Sequence, residues 1–195
     1  MTGALVRMKP RIEQETVIHD GWGRYLLLKV ALPGGEVVTR QLDHHGDAAV
    51  VLPYDPERRV ALLARLPRVG PLYVGQDAYV TEAAAGRIEG GEGAEACIRR
   101  EAVEELGLHL GDLELVANAF ASPGVCSERL ALYLAPYGES DRVGAGGGAE
   151  GEHELIEVLE QPLNALWAEV IQGRLVDLKT LLLIHALHAR RPDLF

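Results

Sequence analysis

The chain has 195 residues, a length that favours one main domain with at most a small appendage. Apolar residues make up 48% of it, so a true core can form, but aromatic residues are only 5%, and that core must consist mostly of Leu, Val and Ala. The formal net charge of −10 argues against a broad surface for nucleic acid or membrane lipid.

The first third of the chain has the pattern of antiparallel β-structure. Within residues 15–40, the apolar runs YLLLKVAL and GEVVTRQL flank a Pro-Gly-Gly turn at 33–35. Residues 48–52 and 60–65 predict two buried strands separated by the polar stretch YDPER. We predict a boundary near residues 41–46. It separates the β-hairpin within residues 15–40 from the main domain, to which the two buried strands belong.

The middle of the chain contains the strongest helix signal. A loop with Pro and Gly is predicted at 69–76, followed by a short strand at 79–85 that stops at Gly86. Residues 92–106 then predict a helix, because they are rich in Ala, Glu and Arg, contain no Pro and precede Gly107.

Strands and helices alternate through the rest of the chain. LELVANAF, LALYLAP and LIEVLE predict strands, with a Gly-rich flexible loop at 138–151 before the last of them. The helical pattern returns after Pro162, and Asp177 is the expected N-cap of a final helix that runs to about His188. This alternation predicts an α/β fold with a mixed sheet and helices on both faces.

The cysteines and the apolar segments favour a cytoplasmic protein. Cys97 and Cys126 are too few for a disulfide framework, so both are expected to be reduced thiols. Residues 1–15 contain no long apolar stretch, so no signal peptide is predicted, and residues 181–187 are too few to cross a bilayer.

Acidic residues are concentrated between Glu82 and Glu160, where 17 Asp and Glu face 5 Arg and no Lys. A solvated acidic surface explains most stretches of this kind. Clustered carboxylates are also what Mg²⁺ needs, because it prefers oxygen ligands. The seven histidines show no spacing typical of metal ligands.

The helix at 92–106 places three carboxylates on one face. Glu104 and Glu105 follow Glu101 by three and four residues, and a helix turns once in about 3.6 residues. Like charges this close weaken a helix by a few tenths of a kcal/mol per pair, a cost that a bound cation would offset. Arg100 can pair with one of these carboxylates. A solvated helix of Ala, Glu and Arg is the alternative.

The segment from Gly86 to Leu108 resembles the Nudix box, G-x5-E-x7-R-E-U-x-E-E-x-G-U, in which U is aliphatic. Every fixed position matches, although Ala102 is small for U. The matching residues are Gly86, Glu92, Arg100, Glu101, Ala102, Glu104, Glu105, Gly107 and Leu108. This spacing, together with the glycines before the helix, favours the bound cation over the solvated helix.

The resemblance extends beyond the box. TEAAAG is similar to the E-x-P-A-G of ADP-ribose pyrophosphatase-like members, with Ala84 in place of Pro, and SPGVCSE is similar to their S-P-G-x-x-x-E segment. The C-terminal third most resembles the GDP-mannose pyrophosphatase branch. The resemblance implies a Nudix α/β/α sandwich at 44–195, preceded by a small antiparallel β unit at 1–43 that crosses to a partner subunit in a homodimer.

The resemblance also implies roles for the box residues. The carboxylates of Glu101, Glu104 and Glu105 and the backbone carbonyl of Ala85 would hold Mg²⁺, with Mn²⁺ as an alternative. Arg100 would serve catalysis by orienting the glutamates, and Glu104 would serve it by ligating or bridging a second ion. The remaining box residues would maintain the loop and helix: Gly86, Glu92 and Gly107. For Glu92, assistance to a metal is the alternative.

In similar enzymes the catalytic base comes from the mobile loop before the last strand. By position relative to Ile156, Glu152 is the candidate base and Glu154 a further metal ligand, while Glu150 is the other carboxylate on offer. An acidic loop without any role is the alternative.

Substrate contacts are the least regular part of the resemblance. Arg65 and Arg68 match an R-Q-aromatic-R pattern that contacts the nucleotide in relatives, but Leu and Pro stand between them. Glu82 and Glu128 match the glutamates of the two short motifs and would bind substrate.

The implied reaction is the Mg²⁺-dependent hydrolysis of a nucleoside-diphosphate sugar, with GDP-mannose giving GMP and mannose 1-phosphate. One alternative is cleavage of ADP-ribose to AMP and ribose 5-phosphate. The other is a Nudix-fold module that senses a nucleotide sugar without cleaving it. Nucleic acid and membrane are not expected partners.

Overall fold

The computed structural model describes residues 9–149, 151 and 155–195. They divide into two compact units. The first contains the residues up to Asp47 together with Phe120–Arg129, and the second contains Ala48–Ala119 and Leu130–Phe195. The domain boundary between residues 43 and 44 stays a prediction. None of the helices in this described part has both the length and the apolar composition needed to cross a bilayer.

The first unit contains a three-stranded antiparallel sheet in the order β1-β2-β3. The strands are β1 (Arg11–Asp20), β2 (Arg24–Ala31) and β3 (Val37–His44). The predicted turn between β2 and β3 is confirmed, and Gly34 and Gly35 adopt φ values of 115° and 91° that favour glycine. The small N-terminal β unit is therefore present.

Residues 120–129 join the first unit through the end of β3. The amide of Asp43 donates to the carbonyl of Val125 at 2.8 Å, and the amide of Ser127 donates to the carbonyl of Asp43 at 3.0 Å. Asp43 and Cys126 are thereby paired as in a parallel bridge. A strand end and a loop some 80 residues further along are held side by side.

The second unit is built on a seven-stranded sheet in the order β10-β5-β4-β9-β8, with β6 on β5 and β7 on β4. β4 runs parallel to β9 and antiparallel to β5 and β7, so the sheet is mixed, as predicted. The strands are β4 (Ala48–Asp55), β5 (Val60–Pro67), β6 (Tyr79–Glu82), β7 (Ala84–Arg87), β8 (Glu114–Phe120), β9 (Arg129–Pro136) and β10 (Glu157–Pro162). The helices are α1 (Val69–Tyr73), α2 (Ala94–Leu106), α3 (Leu163–Ile171) and α4 (Leu178–Arg190).

Helices cover both faces of this sheet. Every residue of β4 is buried, and alternate residues of a strand point to opposite faces. Ala49 and Val51 pack in one cluster with Ile98 and Leu106 of α2. The other face of β4 is covered by α4. The predicted α/β/α sandwich is confirmed, and its buried residues are mainly Leu, Ala and Val.

Two local predictions were wrong. Residues 69–76 were predicted as a loop but begin with α1, which tolerates Pro71 because a first-turn N–H has no partner within a helix. Residues 79–85 were predicted as one strand but form β6 and β7. The amide of Ala83 donates to the hydroxyl of Thr180 at 2.7 Å instead of to a neighbouring strand, and the pairing is interrupted there.

The C-terminal end of α2 is closed by the Gly-rich loop. Gly107 ends the helix as predicted, with φ 63° and ψ 37°. The amides of Gly147 and Gly148 donate to the carbonyls of Glu105 and Glu104 at 2.9 and 3.0 Å. Gly146, at φ 69°, has no room for a side chain, because a Cβ would lie 2.3 Å from the Glu105 carbonyl oxygen. The loop therefore satisfies carbonyls that a helix end leaves unpaired.

We expect Gly107→Ala to destabilise the fold more than Gly173→Ala. Both glycines follow a helix with φ near 65°, so both alanines suffer a left-handed strain of about 1–2 kcal/mol. At position 107 the new Cβ would also lie 2.3 Å from the Gly144 carbonyl oxygen, whereas at position 173 it meets nothing within 4 Å. Urea unfolding should show an additional loss of roughly 1–3 kcal/mol for the first variant. Equal losses of unfolding free energy for the two variants would show that the Gly-rich loop moves away from the new Cβ without cost.

Candidate active site

The Nudix-box helix approaches β7 most closely at Gly86. This glycine pairs with Ala49 across β4 and β7, and its hydrogen faces the side chain of Glu101. A Cβ at position 86 would lie 1.9 Å from Oε1 of Glu101. The first glycine of the motif is therefore required for the space that the Glu101 carboxylate fills.

Glu105 is the buried carboxylate of the site, with 4% of its surface exposed. Its Oε2 accepts a hydrogen bond from the amide of Ala85 at 3.2 Å. In an extended strand the N–H and the C=O of one residue point to the same side, which here is the side of Glu105. The site thus has two oxygen donors here: the Glu105 carboxylate from α2 and the Ala85 backbone carbonyl from β7.

Arg100 binds three glutamates at once. The predicted pair with Glu104 forms at 2.9 Å, and further contacts reach Glu101 at 2.8 Å and Glu92 at 3.1 Å. Burial lowers the pKa of the Arg100 guanidinium, but the hydrogen bonds to Glu92, Glu104 and Glu101 outweigh it, and the pKa lies above its ordinary value. The cation offsets the repulsion between the carboxylates.

Glu92 connects the loop before α2 to the helix. Its carboxylate accepts from Arg100 and from the amide of Glu89 at 3.1 Å, and the Arg100 hydrogen bond holds the pKa of Glu92 below its ordinary value. The loop turns through Gly90 and Gly91, whose φ values are 53° and 85°. This agrees with a structural role for Glu92.

The donor set of the box suits a hard divalent cation. It consists of oxygens alone, from Glu101, Glu104, Glu105 and the carbonyl of Ala85, and one carboxylate occupies the cradle left by Gly86. Within the described ranges, one group of His, Cys, Asp or Glu has ligand atoms all within 4.8 Å of one another, and it lies in the first unit instead: Asp43, His45 and Cys126. In the box, Arg100 stands between the carboxylates.

The loop carboxylates proposed from the sequence cannot be placed. Glu150, Glu152 and Glu154 lie outside the described residues, so the candidate base and the fifth metal ligand stay predictions.

Glu82 and Arg68 meet at a cleft of about 670 Å³. Glu82 is 4% exposed and forms ion pairs with Arg68 and with Lys179, the latter at 3.5 Å. Lys179 also contacts Asp177 at 2.6 Å. Burial lowers the pKa of Lys179, but the two carboxylates outweigh that effect and raise it. The cleft is thus lined by charges from β6 and from the start of α4.

Lys179 was missed by the sequence analysis. A lone lysine two residues after a helix cap gives no signal by itself, and its contact with Glu82 joins positions almost 100 residues apart. The cap was predicted correctly, since Asp177 accepts from the amide of Thr180 at 2.9 Å.

Arg65 and Glu128 are not among the residues that line this cleft, although Arg65 contacts Tyr79, which does line it. Arg65 stacks over the ring of Tyr79 at 4.6 Å and contacts Glu157 at 3.3 Å. Leu66, which stands where relatives have Gln, is 2% exposed in the core beneath α2. Glu128 belongs to the first unit, where its carboxylate lies 3.4 Å from Nε2 of His45.

Cys97 is packed against the sheet and is no nucleophile. It is fully buried, and its thiol donates to the carbonyls of Gly86 and Arg87 at 3.5 and 3.4 Å. Burial raises its pKa to about 12, so the thiolate is scarce at neutral pH.

Comparison with known proteins identifies the class that this fold and helix define. The family model for the NUDIX domain matches residues 44–183. The chain therefore belongs to the Nudix family, and the predicted hydrolase class is confirmed.

Two relatives and one solved structure are similar to this chain over most of its length. A GDP-mannose pyrophosphatase of Citrobacter koseri is 37% identical over 181 residues, covering 90% of this chain and 93% of that protein. A GDP-mannose pyrophosphatase of Cronobacter sakazakii is 39% identical over 159 residues, covering 80% and 82%. A crystal structure of an ADP compounds hydrolase superposes with a TM-score of 0.77 over 95% of this chain and 96% of that one. At 16% identity it shows the fold alone.

We expect Gly86→Ala to weaken divalent-cation binding while the fold persists. The new methyl group would overlap the Glu101 side chain from its carboxylate to Cγ, a clash that a different Glu101 rotamer relieves by moving the carboxylate away. Gly93→Ala is the matched control, because a Cβ at that N-cap position of α2 meets nothing within 4 Å. Titration with Mn²⁺, followed by the EPR signal of the free ion, should show roughly tenfold weaker binding for the first variant alone. Unchanged affinity would remove Glu101 from the ligands.

Proposed function

We propose that this chain hydrolyses the pyrophosphate bond of a nucleoside-diphosphate sugar, and that GDP-mannose is its preferred substrate. The observation that carries the proposal is the grouping of three box carboxylates on α2: Glu101 and Glu104 pair with Arg100, and Glu105 accepts a hydrogen bond from the Ala85 amide of β7. The relatives called GDP-mannose pyrophosphatases support the choice of substrate, since the chain covers most of their length.

The box oxygens are the proposed site for Mg²⁺, with Mn²⁺ as an alternative. Glu101, Glu104 and Glu105 would supply carboxylates and Ala85 its carbonyl. When bound, the cation supplies Lewis-acid chemistry that lowers the pKa of a bound water and neutralises charge on a phosphate. Arg100 is a positioning residue, because it touches the glutamates and holds their side chains together.

The charged cleft is the proposed place for part of the nucleotide sugar. Arg68 and Lys179 present cations to it, and Glu82 holds both side chains in place. Two cationic side chains held by a buried carboxylate can donate hydrogen bonds to hydroxyl or phosphate oxygens. Arg65 and Glu128 remain proposed substrate contacts on the ground of the motifs alone.

Turnover of three different nucleotide sugars is compared to test the proposal. GDP-mannose, ADP-ribose and ADP-glucose are incubated with enzyme and Mg²⁺, and a coupled phosphatase releases phosphate from the phosphomonoester products. We expect kcat/KM to be highest for GDP-mannose. A preference for ADP-ribose would assign the chain to that activity, and binding without turnover of any of the three would make it a sensor.

The homodimer is a separate proposal, checked by sedimentation.

We expect Glu105→Gln to lower kcat by roughly 100-fold or more, since metal stabilisation of the transition state is worth several kcal/mol. The amide keeps the shape of the side chain and an oxygen for the Ala85 N–H, so the fold should survive. Glu95→Gln, on the exposed face of the same helix, is the matched control. Near-wild-type rates for Glu105→Gln would remove this residue from the metal site.

Glu152 is the proposed general base, and Glu154 the proposed additional ligand. We expect Glu152→Gln to lower kcat while KM changes little, because a base acts on the proton of the attacking water and not on substrate binding. The same substitution at Glu150 serves as the control. A loss of rate at position 150 or 154 instead would move the base to that residue.

A further inference from the structure

The first unit contains a mixed sulfur, nitrogen and oxygen cluster that the hydrolytic reaction does not use. Asp43, His45 and Cys126 each offer one ligand atom, and these atoms all lie within 4.8 Å of one another. We propose that Asp43, His45 and Cys126 form a binding site for a zinc ion, separate from the magnesium ligands of the Nudix box.

The distance between the His45 and Asp43 ligand atoms fits tetrahedral coordination, and the Cys126 sulfur lies within 4.8 Å of both. Ligands at the usual zinc distances of about 2.0–2.3 Å are separated from one another by roughly 3.3–3.6 Å. Nδ1 of His45 lies 3.2 Å from Oδ1 of Asp43, close to that separation. The other ring nitrogen, Nε2, lies 3.4 Å from the carboxylate of Glu128. With Nδ1 on the metal, Glu128 accepts the Nε2–H, an arrangement that fixes the ring of many zinc-bound histidines.

The backbone holds the ligands together without a metal. The reciprocal hydrogen bonds of Asp43 to Val125 and Ser127 pair Asp43 with Cys126, so two ligands come from a fixed bridge. The imidazole of His45 stacks on Trp22, with centroids 5.0 Å apart and planes inclined by 27°. Ordering such side chains costs free energy, and here the fold has already ordered the backbone beneath them.

The donor atoms select the class of metal. One thiolate and one imidazole disfavour Mg²⁺ and favour Zn²⁺, whereas the all-oxygen set of the box has the opposite preference. Burial raises the pKa of the Cys126 thiol, so metal binding must displace its proton to solvent. Three protein ligands leave a fourth position for water.

Cobalt is the spectroscopic probe for this site. The full-length protein is freed of metal with a chelator, and Co²⁺ is added while the thiolate-to-cobalt charge-transfer band is recorded in the near ultraviolet. We expect a band that saturates at one Co²⁺ per chain and disappears when Zn²⁺ is added. The box glutamates cannot produce this band, because they contain no sulfur. Failure of the proposal therefore leaves the proposed hydrolase function untouched.

The two cysteines provide a matched pair of variants. Cys126→Ala should abolish the band, whereas Cys97→Ala should keep it, since Cys97 is fully buried on the inner face of α2. His45→Gln should weaken cobalt affinity at least tenfold. A missing band in the unmodified protein, a band that survives Cys126→Ala, or an unchanged affinity in His45→Gln would each overturn the site. If a variant fails to fold, the imidazole nitrogen resonances of His45 in the unmodified protein must shift when Zn²⁺ is added.

Discussion

The attraction between one guanidinium and several carboxylates underlies the arrangement of the proposed active site. Glu101, Glu104 and Glu105 follow one another within little more than a helical turn, where like charges repel. Arg100 pairs with Glu101 and Glu104 and also reaches Glu92 in the preceding loop, so one cation links the helix to that loop. Glu101 and Glu104 are thereby held close together, and a group of oxygen ligands is what a hard divalent ion requires.

Local spacing explains why this part of the site could be predicted from the sequence. The period of a helix decides which side chains share a face, and the left-handed conformation at Gly107 decides where the helix ends. The order of strands and helices likewise follows from short apolar runs and turn residues. The predicted sandwich and its N-terminal sheet were therefore confirmed. The break in strand pairing at Ala83 was not predicted, because it depends on Thr180, which is distant in the sequence.

Residues from distant segments account for what the sequence could not show. Lys179 matters because α4 starts beside Glu82, and no pattern within α4 records that neighbour. Histidine spacing gave no hint of a metal ligand, because His45 approaches Cys126 through the pairing of a strand end with a loop. In the same way, Leu66 departs from the R-Q-aromatic-R pattern at a position where the side chain is buried in the core.

The hydrogen bond between Ala83 and Thr180 has a geometric consequence for the spacing of the two groups on either side of it. It fixes the chain between Glu82, which lines the charged cleft, and Ala85, whose amide donates to the buried carboxylate of α2. Three residues of extended chain span at most about 10 Å. The cleft and the buried carboxylate are thus joined by a short backbone segment that α4 holds in place.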